Sequence, residues 1–168
     1  NRLIVVKDIF LFSCYTGLSY IDITKLTMDH VKMDFDGNQW IETERQKTKV
    51  ALKIPLLNQS RIILKKYQNH PKTVSDQKLL PHYSNQKLNS YLKEIADFCG
   101  ITKRLTFHVA RHTFATTITL TNGVPIETVS KLLGHTKLTT TQIYARVVDK
   151  KVKEDMALLN TCLLYTSP

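Results

Sequence analysis

"VKMDFDGNQWIETERQKTKVALKIPL", Val31–Leu56, is the stretch that decides the fold. It holds three runs, "VKMDF", "QWIETE" and "ALKIPL", in which β-branched and aromatic residues recur between polar ones. The "DGN" between the first two supplies an Asp-Gly pair, which adopts the positive-φ backbone that a tight hairpin needs. The "RQKTKV" between the second and third is a basic turn. The reading is three short antiparallel strands set in a chain that is otherwise helical in pattern.

Upstream, residues 3–15 are apolar with a helical rhythm, and Gly17 stops them. Ser19-x-x-Asp22 reads as a capping box opening a second helix. Downstream, "NQSRIILKKYQN" (58–69) is amphipathic, whereas "HPKTVSDQKLLPHY" (70–83) has turn formers and no period, and reads as a loop. "SNQKLNSYLKEIADFCG" is a helix with Ser84 as N-cap and Gly100 as its stop. "TFHVARHTFATTITLTNG" is a helix ending at Gly123. In "PIETVSKLLG", Pro125 takes the first helical position and Gly134 the stop. "TTTQIYAR" is a short helix or a turn, and "DKKVKEDMALLN" a last helix. Phe107, Phe114, Leu132 and Leu133 face the core. The expected class is α+β, mostly α-helical with a small three-stranded antiparallel sheet, as one domain over residues 1–161.

The chain has 168 residues, 42% of them hydrophobic, enough for a real core. Lys and Arg number 24 against 14 Asp and Glu, a formal charge of +10. That excess favours an anionic partner, nucleic acid ahead of an anionic membrane surface. No apolar run is long enough to span a bilayer. The opening "NRLIVVKDIFLFSCYTG" carries Lys7 and Asp8 inside its apolar stretch, unlike a signal peptide. Cys14, Cys99 and Cys162 are far apart, odd in number and without a CxxC, which fits reduced thiols of a cytosolic protein rather than a metal site. The closing "CLLYTSP" breaks the helical rhythm before it. Cys162–Ser167 back-translates as TGT CTC TTA TAC ACA TCT, which resembles the mosaic-end adapter of transposase-based sequencing libraries. Residues 162–168 are therefore expected to be a non-native tail.

Four groups could carry chemistry. In "HVARH", His108 and Arg111 are three residues apart and can point at one anion from one helix face. His112 adds a second imidazole. His135 follows the helix stop at Gly134, in a loop. Tyr144 lies nine residues beyond it. Lys47, flanked by Arg45 and Lys49, sits on a turn that can project an ammonium beyond the sheet. Plain alternatives stand beside these: a solvated basic face for "HVARH", packing for Tyr144 and simple phosphate contacts for Lys47, as helix capping does for Ser19 upstream.

Taken together and in order, these boxes resemble the catalytic domain of the tyrosine recombinase (phage-type integrase) family. "TFHVARHTFAT" is similar to the family's H-x-x-R box. "LGHTKLTTTQIYARV" is similar to its box of a second His followed by the nucleophilic Tyr. "TGLSYIDI" resembles the first box by position, and "QKTKVALKIPL" the strand-turn lysine. The resemblance covers residues 3–160.

The resemblance implies DNA breakage without metal, cofactor or external energy. Tyr144 would attack a phosphodiester and hold it as a 3′-phosphotyrosine, which a free 5′-hydroxyl then resolves on a partner strand. The attack adds negative charge to the non-bridging oxygens, and fixed cations must meet it. Arg111 can do so bidentately. His108 and His135 would add hydrogen bonds, and His108 could help take the tyrosine proton. A phenol with a pKa of about 10 needs such help. Lys47 would protonate the leaving 5′-oxygen, and Asp22 would orient the basic groups. Arg45, Lys49, His112 and Arg146 would contact DNA. The partner is double-stranded DNA, with a homo-oligomer, a tetramer, on DNA in the full-length protein, no membrane, and a cytoplasmic, nucleoid-associated setting. The family's separate N-terminal core-binding domain is expected to lie outside this chain.

One box departs from the pattern. Ser19 stands where the family usually has Arg, and a hydroxyl cannot replace a guanidinium's charge or fork. Either a cation comes from elsewhere, as some similar conjugative-transposon integrases tolerate, or the protein binds DNA and cleaves poorly. The first is favoured because the other catalytic positions match. Rival readings are a non-catalytic DNA-binding module, a type IB topoisomerase and an RNA-binding helical domain.

Overall fold

A computed structural model describes residues 2–145, 152 and 156–161. The chain opens with α1 (Arg2–Thr16) and the single turn α2 (Tyr20–Ile23), then a 3₁₀ turn (Met28–His30). The strands β1 (Val31–Met33), β2 (Gln39–Glu44) and β3 (Ala51–Pro55) follow, and then α3 (Asn58–Tyr67), α4 (Pro71–Asp76) and α5 (Asn85–Phe98). α6 (Phe107–Thr113) runs into a π-helical segment (Phe114–Thr119) and a 3₁₀ turn (Leu120–Asn122) before α7 (Ile126–Leu132) and α8 (Thr139–Ala145). Residues 156–161 are helical.

The expected α+β class holds. The sheet has the order β1-β2-β3 and is antiparallel throughout, with Ile41 opposite Val31 on one side and Ile54 on the other. Ile41, Leu52 and Ile54 are buried. Each such side chain contributes about 1.5–3 kcal/mol relative to an exposed one. At the β1–β2 turn, the Asp34 carboxylate accepts from the Asp36 and Asn38 amides and from Trp40 Nε1, which fixes the hairpin register.

α1 is apolar on most sides because it is central, packed by α3, α5, α6 and the π-helical segment. Its buried Asp8 accepts from the Tyr67 hydroxyl at 2.8 Å and pairs with Lys66, which ties α1 to α3. A main core runs from Val6, Phe12 and Leu18 through the sheet to Leu88 and Leu92. A second, smaller core holds Phe114, Ala115, Leu120, Val129, Leu133 and Tyr144.

Four expectations are corrected. The supposed loop 70–83 contains α4, with Pro71 in its first turn and His70 Nδ1 accepting from the Lys72 amide; six residues are too few to show a period. Pro125 is the N-cap of α7 rather than its first residue. Ser19 does not form a capping box, because its hydroxyl donates to Asp22 Oδ2 at 2.6 Å. The helix through "HVARHTFATTITLTN" is not regular. Hydroxyls of Thr113, Thr116 and Thr119 bond back to carbonyls four or five residues earlier, and the ladder loosens to the π form after Thr113.

Candidate active site

Arg111 is the centre of the arrangement. It is only 3% exposed, and its guanidinium joins the end of α1 to the end of α7. Its Nη1 donates to the Gly17 carbonyl at 2.6 Å, and its Nη2 donates to the Leu133 carbonyl and to His135 Nε2 at 3.1 Å. Both carbonyls lie at helix C-termini, where no intrahelical donor follows. α1 ends at Thr16 and α7 at Leu132, so the negative ends of two helices converge on one buried cation. Gly17 lets Phe114 pack against this turn. Its φ is +71°, and a Cβ there would lie 2.4 Å from the Phe114 ring. Burial first, and then the neighbouring Arg45, push the Arg111 pKa down to about 10, while Tyr144 and Asp22 favour the charged form. Arg111 therefore keeps its charge at neutral pH.

Arg45 comes to the same point from the end of β2. It was expected among the contacts to the DNA backbone. Its guanidinium is instead largely buried, donating from Nη1 to the Leu133 carbonyl at 3.2 Å and lying 3.7 Å from Asp22 Oδ2. Its buried Nε has no hydrogen-bond partner among the described residues. Asp22, 2% exposed, also accepts from Ser19 Oγ and from the Gln46 amide at 3.0 Å. It holds both the first helical turn and the start of the β2–β3 turn. Gly134 lets that turn close on the α7–α8 loop, since a Cβ there would meet Leu52 at 2.7 Å and Arg45 at 3.1 Å. Thr48 Oγ1 completes the contact by donating to the Gly134 carbonyl.

Lys47 is exposed at the apex of this turn. Lys49 has a φ of +57° and is paired with Glu44 at 3.5 Å in the open. The Lys49 amide donates to the Arg45 carbonyl, and that bond aims the apex away from the sheet.

Tyr144, from α8, is buried in the second core beneath two imidazoles. Its ring is parallel to that of His135, with centroids 6.5 Å apart, and edge-on to that of His112 at 5.0 Å. His112 in turn meets His108 at 4.8 Å. His112, expected to contact DNA, is thus half-buried between His108 and Tyr144, and burial followed by the charges of His108 and Arg111 lowers its pKa. His135 is lowered to about 4, by burial first and then by Arg111 and Arg45. His108 is exposed, and with Arg111 and Ser19 it lines a hollow of about 300 Å³. A larger groove of about 900 Å³ beside Met28, Ile62 and Val74 shares none of these residues.

Arg146 lies outside the described residues, as does the tail at 162–168. Cys14 is buried and its thiol pushed up to about 12 by that burial, so it is no rival nucleophile. Among the described residues no three His, Cys, Asp or Glu side chains are grouped to hold a metal ion, and no helix is long and apolar enough to cross a membrane. Sequence reasoning missed two features: the position of Arg45, and Thr141, whose buried hydroxyl lies 2.8 Å from His135 Nδ1. The signal for Thr141 was its place three residues before Tyr144, on the same helix face.

The sequence has known relatives and the fold has known counterparts. Tyrosine recombinase XerD of Listeria innocua is 35% identical over 152 residues, which is 83% of this chain and 49% of that protein. The chain thus spans about half the length of the curated relatives it matches. The crystal structure of XerA recombinase superposes with a TM-score of 0.69 at 22% identity, covering 91% of this chain and 62% of that one. XerH site-specific recombinase, in a post-cleavage complex with a palindromic difH substrate, gives 0.70 at 18% identity, covering 95% and 47%. At such identities the superpositions speak to the fold. The profile of the phage integrase family matches residues 3–151, nearly the whole described chain, and the chain belongs to that family.

Proposed function

We propose that this chain is the catalytic domain of a site-specific DNA recombinase that cleaves and rejoins double-stranded DNA through a 3′-phosphotyrosine. The observation that carries this reading is the convergence of Arg111, Arg45, His135 and Tyr144 from four separate segments on the Leu133–His135 loop. Two guanidinium groups held close without a second anion form a preorganised site for a phosphate. Tyr144 attacks the phosphorus, Arg111 and Arg45 meet the charge on the non-bridging oxygens, and Lys47 protonates the leaving 5′-oxygen. His112, in ring contact with Tyr144, is better placed than His108 to take the phenol proton. Arg45 is the cation that stands in for the arginine absent at Ser19, tethered by Asp22 rather than carried on the first box. The full-length protein acts on nucleoid DNA in the cytoplasm and assembles as a tetramer there.

The test is covalent trapping. Full-length protein is incubated with a nicked duplex carrying the end sequence of the element that encodes it. A protein–DNA adduct at the 3′-phosphate is expected. Retention of the duplex without adduct would reduce the protein to a binding module. Relaxation of a supercoiled plasmid lacking that sequence would point to a topoisomerase instead.

A further inference from the structure

His135 is held from both sides by groups of different character. Arg111 can only donate, so His135 Nε2, 3.1 Å from Arg111 Nη2, accepts and carries no proton. The remaining ring proton is then on Nδ1, which donates to Thr141 Oγ1 at 2.8 Å. In this state His135 presents no N–H toward the point where Arg111 would meet a phosphate. Its pKa of about 4 means that it does not gain a second proton at neutral pH.

A phosphate entering the site changes the requirement. Arg111 turns its N–H to the phosphate oxygen, and His135 stabilises the same charge only if Nε2 carries the proton. A hydroxyl is the one neutral side-chain group of this size that accepts in the first state and donates in the second by rotating about its C–O bond. Thr141 is fully buried, so water does not compete for that bond. It also lies one helical turn before Tyr144 on α8, so the element that carries the attacking phenol also carries the tether of His135.

We infer that Thr141 is a positioning residue whose hydroxyl holds His135 in either tautomer, and that the scissile phosphate converts His135 from the Nδ1–H tautomer, which accepts at Nε2, to the Nε2–H tautomer, which donates there. The proton count is unchanged: Nε2 gains one proton and Nδ1 loses one, both exchanged with solvent while the half-buried ring swings off Thr141. The inference rests on the recombinase reading for its second state alone, since the free-protein tautomer is a property of the fold.

The experiment uses full-length protein with ¹⁵N-labelled histidine, in which the two ring nitrogens report the tautomer directly. Free protein is expected to show His135 as Nδ1–H. With the Tyr144→Phe protein on the element-end duplex, it should become Nε2–H. Thr141→Val keeps the shape and removes the hydroxyl. In the free protein it should leave His135 as Nδ1–H, which Arg111 sets, but on the duplex it leaves Nδ1 without a donor, so the Nε2–H form should be only partly populated and adduct formation by wild-type Tyr144 slowed at least about tenfold, below the 10²–10³ of a deleted donor. Thr141→Ser should restore both. A free protein already in the Nε2–H form, or Thr141→Val that is slow while its Nε2–H form on the duplex is fully populated, would overturn the inference. If wild type forms no adduct, the recombinase reading fails, while the free-protein spectrum still tests the tether.

Discussion

Arg45 and Arg111 donate to one and the same oxygen, the carbonyl of Leu133. Two like charges share that acceptor, and Asp22, 3.7 Å from Arg45, is the nearby carboxylate. The Arg111 pKa is lowered first by burial and then by this mutual repulsion. It is relieved when an anion arrives, which is how a fixed site favours a charged transition state over empty protein. Arg45→Ala should therefore reduce adduct formation by about 10²–10³ while DNA retention in a gel shift changes little. Lys49→Ala should do the reverse, weakening retention modestly at normal cleavage. Adding Ser19→Arg to Arg45→Ala should recover part of the loss, because the hollow beside Ser19 has room for the side chain. Equal and small effects at positions 45 and 49 would return Arg45 to a backbone contact.

Tyr144→Phe should abolish the adduct and keep DNA binding. The ring belongs to the second core with Phe114 and Leu133, and phenylalanine keeps that packing. Adduct formation by the variant, read on a denaturing gel, would reject the nucleophile assignment.

Lys47 is tested by a leaving group that needs no proton. A 5′-bridging phosphorothiolate expels a thiolate, with a thiol pKa of about 8.5 against roughly 15.7 for water. Lys47→Ala should be slow on ordinary DNA and close to wild type on the sulfur-substituted strand. Equal defects on the two strands would make Lys47 a phosphate contact. Rescue at Lys49 would move the proton donor by two residues.

The histidines make stability depend on acid. His135 is neutral in the folded protein down to about pH 4, against an ordinary value of 6.5, and His112 is lowered as well. Between those values the unfolded chain binds more protons than the folded one, so stability rises with pH across the window and is lost as pH falls from 6.5 toward 4. His135→Gln should flatten part of that slope in Tm measured against pH. An unchanged slope would show that His135 is not held neutral.

Gly134→Ala should cost about 1 kcal/mol or more from the positive φ alone, with the clash against Leu52 and Arg45 added. The expected result is a lower Tm together with slower cleavage, because the same atoms position Arg45. Wild-type values of both would mean that the loop relaxes freely.

Much of this was legible in the chain itself. Strand runs of five or six residues around Asp-Gly and a basic turn specify the sheet, since period-two burial and turn chemistry are local. The helix stops at Gly17, Gly100, Gly123 and Gly134 were local in the same way, and each has positive φ. So was the order of the boxes that marks Arg111, His135 and Tyr144. What the tertiary structure decided is which groups share an acceptor. A sequence shows Arg45 two residues before Lys47, yet not that its side chain turns inward to Asp22 while Lys47 points out. The cause is the closure of the β2–β3 turn onto Leu133 and Gly134, nearly ninety residues away. Thr141 was half-hidden: its place on the Tyr144 face was legible, but threonine is at home on a surface or in a core, and only the arrival of His135 above it gives its hydroxyl a partner. Local rules fix backbone form within a few residues. The pairing of charges across two cores depends on how those cores pack, and no short stretch of sequence contains that information.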